Sequence, residues 1–298
     1  MNNKSSPNSK IKRIETLPVR TQFMIFTLFG DYLLEKDKKI WTSDLLYLMS
    51  LLDISERAVR STLSRMTQKG WLSPEKNGRR SKYSLTEQGR DLLIRGQRRI
   101  FEPTLKHWDG KWQMLVYSLP EKLRSTRHTL RTQLSWLGFG SLSPGVWISP
   151  HNREDELESL ITDLEISSCV EIFSSAYLGP TSPLKLVEKC WVLSNIASQY
   201  EKFLGKFQSE HQDYLNNIDR LKNLEEAFVR RFWLTHFFQS FPLKDPNLPV
   251  ELQPKNWVGS QAREMFDEYH TLLGDQAIQF VDSVLAGNYQ KETALRNP

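Results

Sequence analysis

The stretch from Asp53 to Tyr83 constrains the fold more than any other part of the chain. Asp53-Ile54-Ser55 reads as a tight turn, with Ser55 placed to accept amide hydrogen bonds at the start of a helix. That helix, ERAVRSTLSRMTQKG, ends at Gly70, a residue suited to the left-handed position after a helix C-terminus. On a 3.6-residue period it divides into two faces. Ala58, Val59, Leu63 and Met66 share one; Arg57, Arg60, Ser61, Ser64 and Gln68 share the other, flanked by Arg65. Trp71-Leu72 and Lys82-Tyr83-Ser84-Leu85 then read as short strands about an Asn77-Gly78 turn, followed at once by Arg79 and Arg80. An isolated helix with arginines is commonly just solvated. A helix joined to a basic-tipped hairpin is a far narrower pattern.

The flanks extend it. Phe23, Phe26, Phe29 or Gly30, and Leu33 recur at helical intervals and predict one buried face. After a charged break at 35–39, Thr42 and Ser43 are placed to cap a second helix with Leu45, Leu46, Leu48, Met49 and Leu52 inward. Thr86 opens another capped helix, read over 86–93. Three helices, a hairpin and a helix make the order of a winged helix-turn-helix over 20–100, preceded by a polar tail at 1–19. In that fold the third helix offers short polar and guanidinium side chains to base edges in the major groove. The wing cations meet phosphates or the minor groove. Arg57, Arg60, Ser61, Ser64, Arg65, Gln68, Arg79, Arg80 and Lys82 are the candidate contacts to double-stranded DNA.

Charge is divided along the chain in the same sense. Residues 1–100 carry 20 Lys and Arg against 10 Asp and Glu, whereas the remaining 198 carry 20 against 25. A basic module joined to an acidic remainder suits polyanion binding with a further role attached. At 298 residues, two or three domains are expected. No run approaches the ~18 apolar residues of a membrane span, and the first residues lack the apolar centre of a secretory signal. Cys169 and Cys190 have no CxxC spacing. A cytoplasmic protein with no membrane partner is predicted.

A second domain is predicted over 105–180. WQMLVYSL at 112–119 is strand-like, 123–137 helical up to Gly138, 145–149 a strand, 155–164 a helix and 170–174 a strand. Alternation at this length predicts a small ferredoxin-like α+β domain. Over 183–290 the pattern is helical, at 184–207, 213–238 and 259–285, with Pro242, Pro246, Pro249 and Pro254 in an extended connector. The fold class is thus α+β and multidomain.

These residues together resemble the phenylacetic acid degradation repressor (PaaX) family. The similarity is carried by Thr27-Leu28-Phe29-Gly30-Asp31-Tyr32, Glu56-Arg57-Ala58-Val59-Arg60, Gly70-Trp71-Leu72 and Gly78-Arg79-Arg80-Ser81-Lys82-Tyr83. In the middle it rests on Trp112, Arg127, Leu130, Gly138-Phe139-Gly140 and Pro144-Gly145-Val146-Trp147-Ile148-Ser149-Pro150. Asp245-Pro246-Asn247-Leu248-Pro249, Leu252, Pro254, Trp257 and Gly259 carry it towards the C-terminus. The resemblance implies a bacterial, homodimeric transcriptional repressor on a palindromic operator of aromatic-acid catabolic genes, nucleoid-associated when bound. It implies release by an acyl-CoA thioester such as phenylacetyl-CoA, and a middle domain similar to the spacer-acquisition nucleases of CRISPR systems. The implied DNA contacts fall on the helix and wing positions named above.

An acyl-CoA needs cations for its phosphates and an apolar slot for its acyl group. Arg124, Arg127, His128 and Arg131, three or four residues apart, are candidate cations, set against their being the wet face of a surface helix. The aromatics of the C-terminal helices suit an acyl wall, a core or a dimer interface. An enzymatic alternative is a metal-dependent nuclease, which needs carboxylates for a hard cation. Similar nucleases carry an Asp at the end of the first strand; here that strand ends Val116-Tyr117-Ser118-Leu119, and Asp109 precedes it. GxSxG, HExxH, Walker-type and GxGxxG motifs are missing, and the histidines have no metal-ligand spacing. No enzyme, metal or cofactor is expected. The remaining alternative, a constitutive DNA-binding regulator without a ligand, leaves the large acidic remainder unexplained.

Overall fold

A computed structural model of the chain describes residues 20–34, 38–101, 107–216, 223–241 and 244–287. The tail at 1–19, Pro242 of the connector and 35–37 of the charged break lie outside them. The chain forms two compact units: residues up to Leu93 together with those from Phe280 onward, and Ile94–Gln279.

In the first unit α1 (Thr21–Leu28) buries Met24, Ile25, Phe26, Thr27 and Leu28 in succession and runs into a π-helical turn, Phe29–Leu33. Five consecutive buried positions leave this stretch enclosed on nearly every side. The single inner face expected from Phe23 is therefore corrected: Phe23 is 43% exposed while its neighbour Met24 is fully buried. β1 (Ile40–Trp41) and α2 (Thr42–Ser50) follow. Neither Thr42 nor Ser43 caps α2. Thr42 Oγ1 donates instead to the Ser81 carbonyl at 2.9 Å, and Ser43 donates to Asp44. Leu45, Leu48, Met49 and Leu52 enter the core with Val59, Leu63 and Met66 of α3 (Glu56–Gln68), whereas Leu46 and Ala58 are only half-buried.

β2 (Leu72–Asn77) and β3 (Arg80–Leu85) form the hairpin, and β1 adds to β3, giving a sheet in the order β1-β3-β2. Asn77 pairs with Arg80, so the connecting loop is Gly78-Arg79 rather than Asn77-Gly78. Gly78, at φ +59°, suits the first position of such a two-residue loop. α4 (Glu87–Phe101) leads out of this unit.

The second unit holds β4 (Lys111–Tyr117), α5 (Arg124–Trp136), β5 (Gly140–Ser143), β6 (Val146–Ser149), α6 (Glu154–Asp163) and β7 (Val170–Ala176). The strands are antiparallel throughout, in the order β5-β6-β4-β7. β5 is an addition to the three strands expected. Because side chains alternate along a strand, Leu115 and Trp147 turn to one face, beneath Leu130 and Leu134 of α5 and Leu157 and Ile161 of α6. Trp112 and Ile148 turn to the other, beneath Leu186 and Val187 of α7 (Pro183–Cys190) and Leu248 and Leu252 of the connector.

The helix expected over 184–207 breaks at Trp191, whose backbone is extended. Its indole stacks on Trp112 at 6.2 Å and donates to the Gly138 carbonyl at 3.3 Å. α8 (Leu193–Asn216) contains Asp213, expected instead at the start of the following helix. α9 (Leu224–Phe238) and the residues of α10 (Val258–Leu285) up to Gln279 pack with α8 around Phe203, Phe207, Phe228, Phe232, Phe238 and Phe266.

Candidate nucleic-acid interface

Local chemistry sets α3 in place. Asp53 turns the chain at φ +60°, and Ser55 Oγ accepts the Ala58 amide at 3.4 Å, satisfying one of the free donors of the first turn. Gly70, at φ +71°, closes the other end. Val59, Thr62, Leu63 and Met66 are buried, so Arg57, Arg60, Ser61, Ser64, Arg65 and Gln68 are all left exposed on the outer side. Thr62 is a buried member of α3 that hydropathy does not pick out.

The guanidinium groups on that face are held differently. Arg60 Nε donates to Glu56 Oε1 at 2.6 Å, one turn back along the helix. Arg65 Nη2 donates to Thr62 Oγ1 at 3.0 Å. Arg57 makes no hydrogen bond among the described residues.

The hairpin is braced against the same helix. Thr86 Oγ1 donates to the Gly70 carbonyl at 2.5 Å and accepts the Gly89 amide at 3.0 Å, joining the end of β3 to the end of α3. Gly89 has no room for a side chain, because a Cβ there would stand 2.0 Å from the Trp71 carbonyl oxygen. Arg79 in the loop and Arg80 beside it are both exposed. Lys82 is committed to the sheet: its ammonium lies 4.3 Å from the centre of the Trp41 ring. It also stands opposite Glu75, whose carboxylate accepts from Lys39 Nζ at 2.6 Å. The Lys39 hydrogen bond and charge, with a smaller contribution from Lys82, hold the Glu75 carboxyl below its usual range.

The cations considered for an effector also separate. Arg124, His128 and Arg131 are exposed along α5. Arg127 is drawn in: Nη2 donates to the Leu119 carbonyl at 2.8 Å and the Pro120 carbonyl at 3.3 Å, and Nη1 to Glu121 at 3.3 Å. It closes the turn between β4 and α5. Among the described residues no three His, Cys, Asp or Glu side chains gather where they would hold a metal ion, and no helix is long and apolar enough to cross a membrane.

These units define a multidomain α+β protein with a helical C-terminal region. Family models match in succession along it: PaaX-like protein over 20–89, the PaaX protein central Cas2-like domain over 105–187, and the PaaX-like protein C-terminal domain over 191–283. Transcriptional repressor PaaX of Escherichia coli (strain K12) is 32% identical over 271 residues, covering 90% of this chain and 85% of that relative. The chain belongs to the PaaX family, and the similarity is to a regulator of transcription, not an enzyme. The solved structure of uncharacterized protein Rv0674 from Mycobacterium tuberculosis shares the fold, with a TM-score of 0.58 and 24% identity over 89% of this chain and 98% of that one.

Proposed function

We propose that this chain is a ligand-responsive transcriptional repressor acting as a homodimer on double-stranded operator DNA. In this reading the first unit is a winged helix-turn-helix with α3 as its recognition helix and β2–β3 as its wing. The central β-α-β-β-α-β sheet is ferredoxin-like. One observation carries the proposal: the polar face of α3 is wholly exposed, as are Arg79 and Arg80 at the hairpin tip of the same unit, in a member of the PaaX family.

Arg57, Arg60 and Arg65 have the reach and the fork geometry to read guanine in the major groove, each good bidentate contact being worth about 1–3 kcal/mol of discrimination. Arg79 and Arg80 add salt-dependent affinity with little sequence information. Two copies present two α3 helices about 34–36 Å apart, which calls for a palindromic operator. The effector is an acyl-CoA such as phenylacetyl-CoA, with Arg124, His128 and Arg131 available to its phosphates. It releases the repressor to the extent that it binds better to the dimer geometry that mismatches the operator. The regulated genes are those of aromatic-acid catabolism, and the protein works in the cytoplasm, on the nucleoid.

The test is a titration of the purified protein on its own upstream DNA, with phenylacetyl-CoA, other acyl-CoAs and free coenzyme A added in turn. Release by phenylacetyl-CoA alone supports the whole reading. Tight binding indifferent to every thioester removes the effector and keeps the regulator, and no sequence-specific binding removes both.

A further inference from the structure

We propose that Glu56 is a specificity-determining residue, which with Arg60 forms a two-residue reader of a guanine and a neighbouring cytosine. This rests on the reading of α3 as the recognition helix. Glu56 lies in the first turn of α3, where recognition helices meet base edges. It is an exposed carboxylate one turn before Arg60, at the edge of the face that carries Arg57 and Arg60, and on a surface that meets phosphates such a charge weakens every non-specific encounter. It is not the helix cap, because Ser55 fills that place.

The geometry gives that charge a use. Glu56 Oε1 takes the Nε–H of Arg60 at 2.6 Å. Both side chains remain more than half exposed, at 64% and 57%. Holding Nε restricts the long arginine side chain, while both Nη groups make no hydrogen bond among the described residues and keep the fork that matches O6 and N7 of guanine. The carboxylate also presents an acceptor to the exocyclic amine of an adjacent cytosine. Among the described residues Arg57 has no such brace, and Arg65 is held only by the hydroxyl of Thr62. Arg60 is therefore the best pre-ordered of the three for direct readout.

The experiment is selection of binding sites from a randomised duplex library by the full chain and by its Glu56→Gln and Arg60→Lys variants. Circular dichroism and melting temperature accompany it. Gln keeps the size and helix compatibility of Glu, removes the charge and turns one acceptor oxygen into a donor. The wild type is expected to select a guanine at one position of each half-site. Glu56→Gln is expected to melt as the wild type does and to bind random-sequence DNA several-fold more tightly, yet to lose about tenfold of its preference at that position. Arg60→Lys, which keeps the charge and loses the fork, is expected to lose preference at the same position. Unchanged preference in Glu56→Gln beside a selective wild type overturns the inference and leaves the DNA reading standing. A wild type that selects no sequence overturns both.

Discussion

The indole of Trp191 lies so close over Gly140 that a Cβ at Gly140 would stand 2.5 Å from the ring. β5 cannot move away, because its backbone is paired to β6. Gly140→Ala is therefore expected to destabilise the protein by about 1–3 kcal/mol through overpacking. Urea unfolding measures the loss. In a Trp191→Ala background the same change should cost far less, since residues in contact do not add. Equal costs in both backgrounds would mean that the indole is not the obstacle.

At the hairpin tip, Arg79 and Arg80 stand clear while Lys82 is tied to Trp41 and Glu75. Replacing both arginines by alanine should weaken binding to specific and random DNA alike. The slope of log affinity against log salt should fall by up to about 2. Lys82→Ala should change that slope less. If the double variant keeps the wild-type slope, the wing does not touch the backbone.

Arg127 serves two carbonyls in the β4–α5 turn. Arg127→Ala should cost about 1–3 kcal/mol of stability, since it leaves those acceptors without their charged donor. Arg124→Ala with Arg131→Ala should leave stability close to wild type and weaken acyl-CoA binding if those cations hold its phosphates. Thermal unfolding and calorimetric titration separate the two effects, and a stable Arg127→Ala protein would contradict the first.

His236 lies in the aromatic interior of α9, where burial pushes its imidazole down to about 4 from an ordinary 6.5. Gln239 Nε2 donates to its Nδ1 at 2.9 Å, a bond that the neutral ring accepts. The unfolded chain thus takes up a proton between pH 6.5 and 4 that the folded chain refuses. The stability owed to this group is complete above pH 6.5, drains as acid is added and is gone below about 4. That shift corresponds to about 3 kcal/mol. His236→Phe should lose less stability than the wild type between pH 7 and 4. Parallel losses would show that other groups set the acid limit.

α3 and the hairpin are legible from sequence because their signals are local: a serine cap, a glycine stop, a glycine in the loop and alternating faces between them. β1 and β5 are not. Ile40-Trp41 is too short to show a period, and Gly140-Ser-Leu-Ser143 has no intrinsic liking for a strand. Each exists because a partner strand offers backbone groups, Tyr83 and Lys82 in one case, Ile148 and Trp147 in the other. Phe23 misleads because α1 is enclosed on nearly every side, so periodicity carries little information about its faces. Of the site residues, the outward set on α3 follows from helix geometry, whereas the commitments of Arg127 and Lys82 depend on turns and pairings formed only in the fold. Glu56 had a readable sign, the i,i+4 spacing to Arg60.

The second face of the central sheet is finished by residues far downstream, at 183–190 and 245–252, which cover Trp112 and Ile148. During biosynthesis the strands of that sheet leave the ribosome well before their cover does. Until Leu252 has emerged, the nascent chain must carry an apolar surface that includes a tryptophan, a state prone to aggregation and a natural client for chaperones. Expression of the central segment by itself would make that transient state permanent.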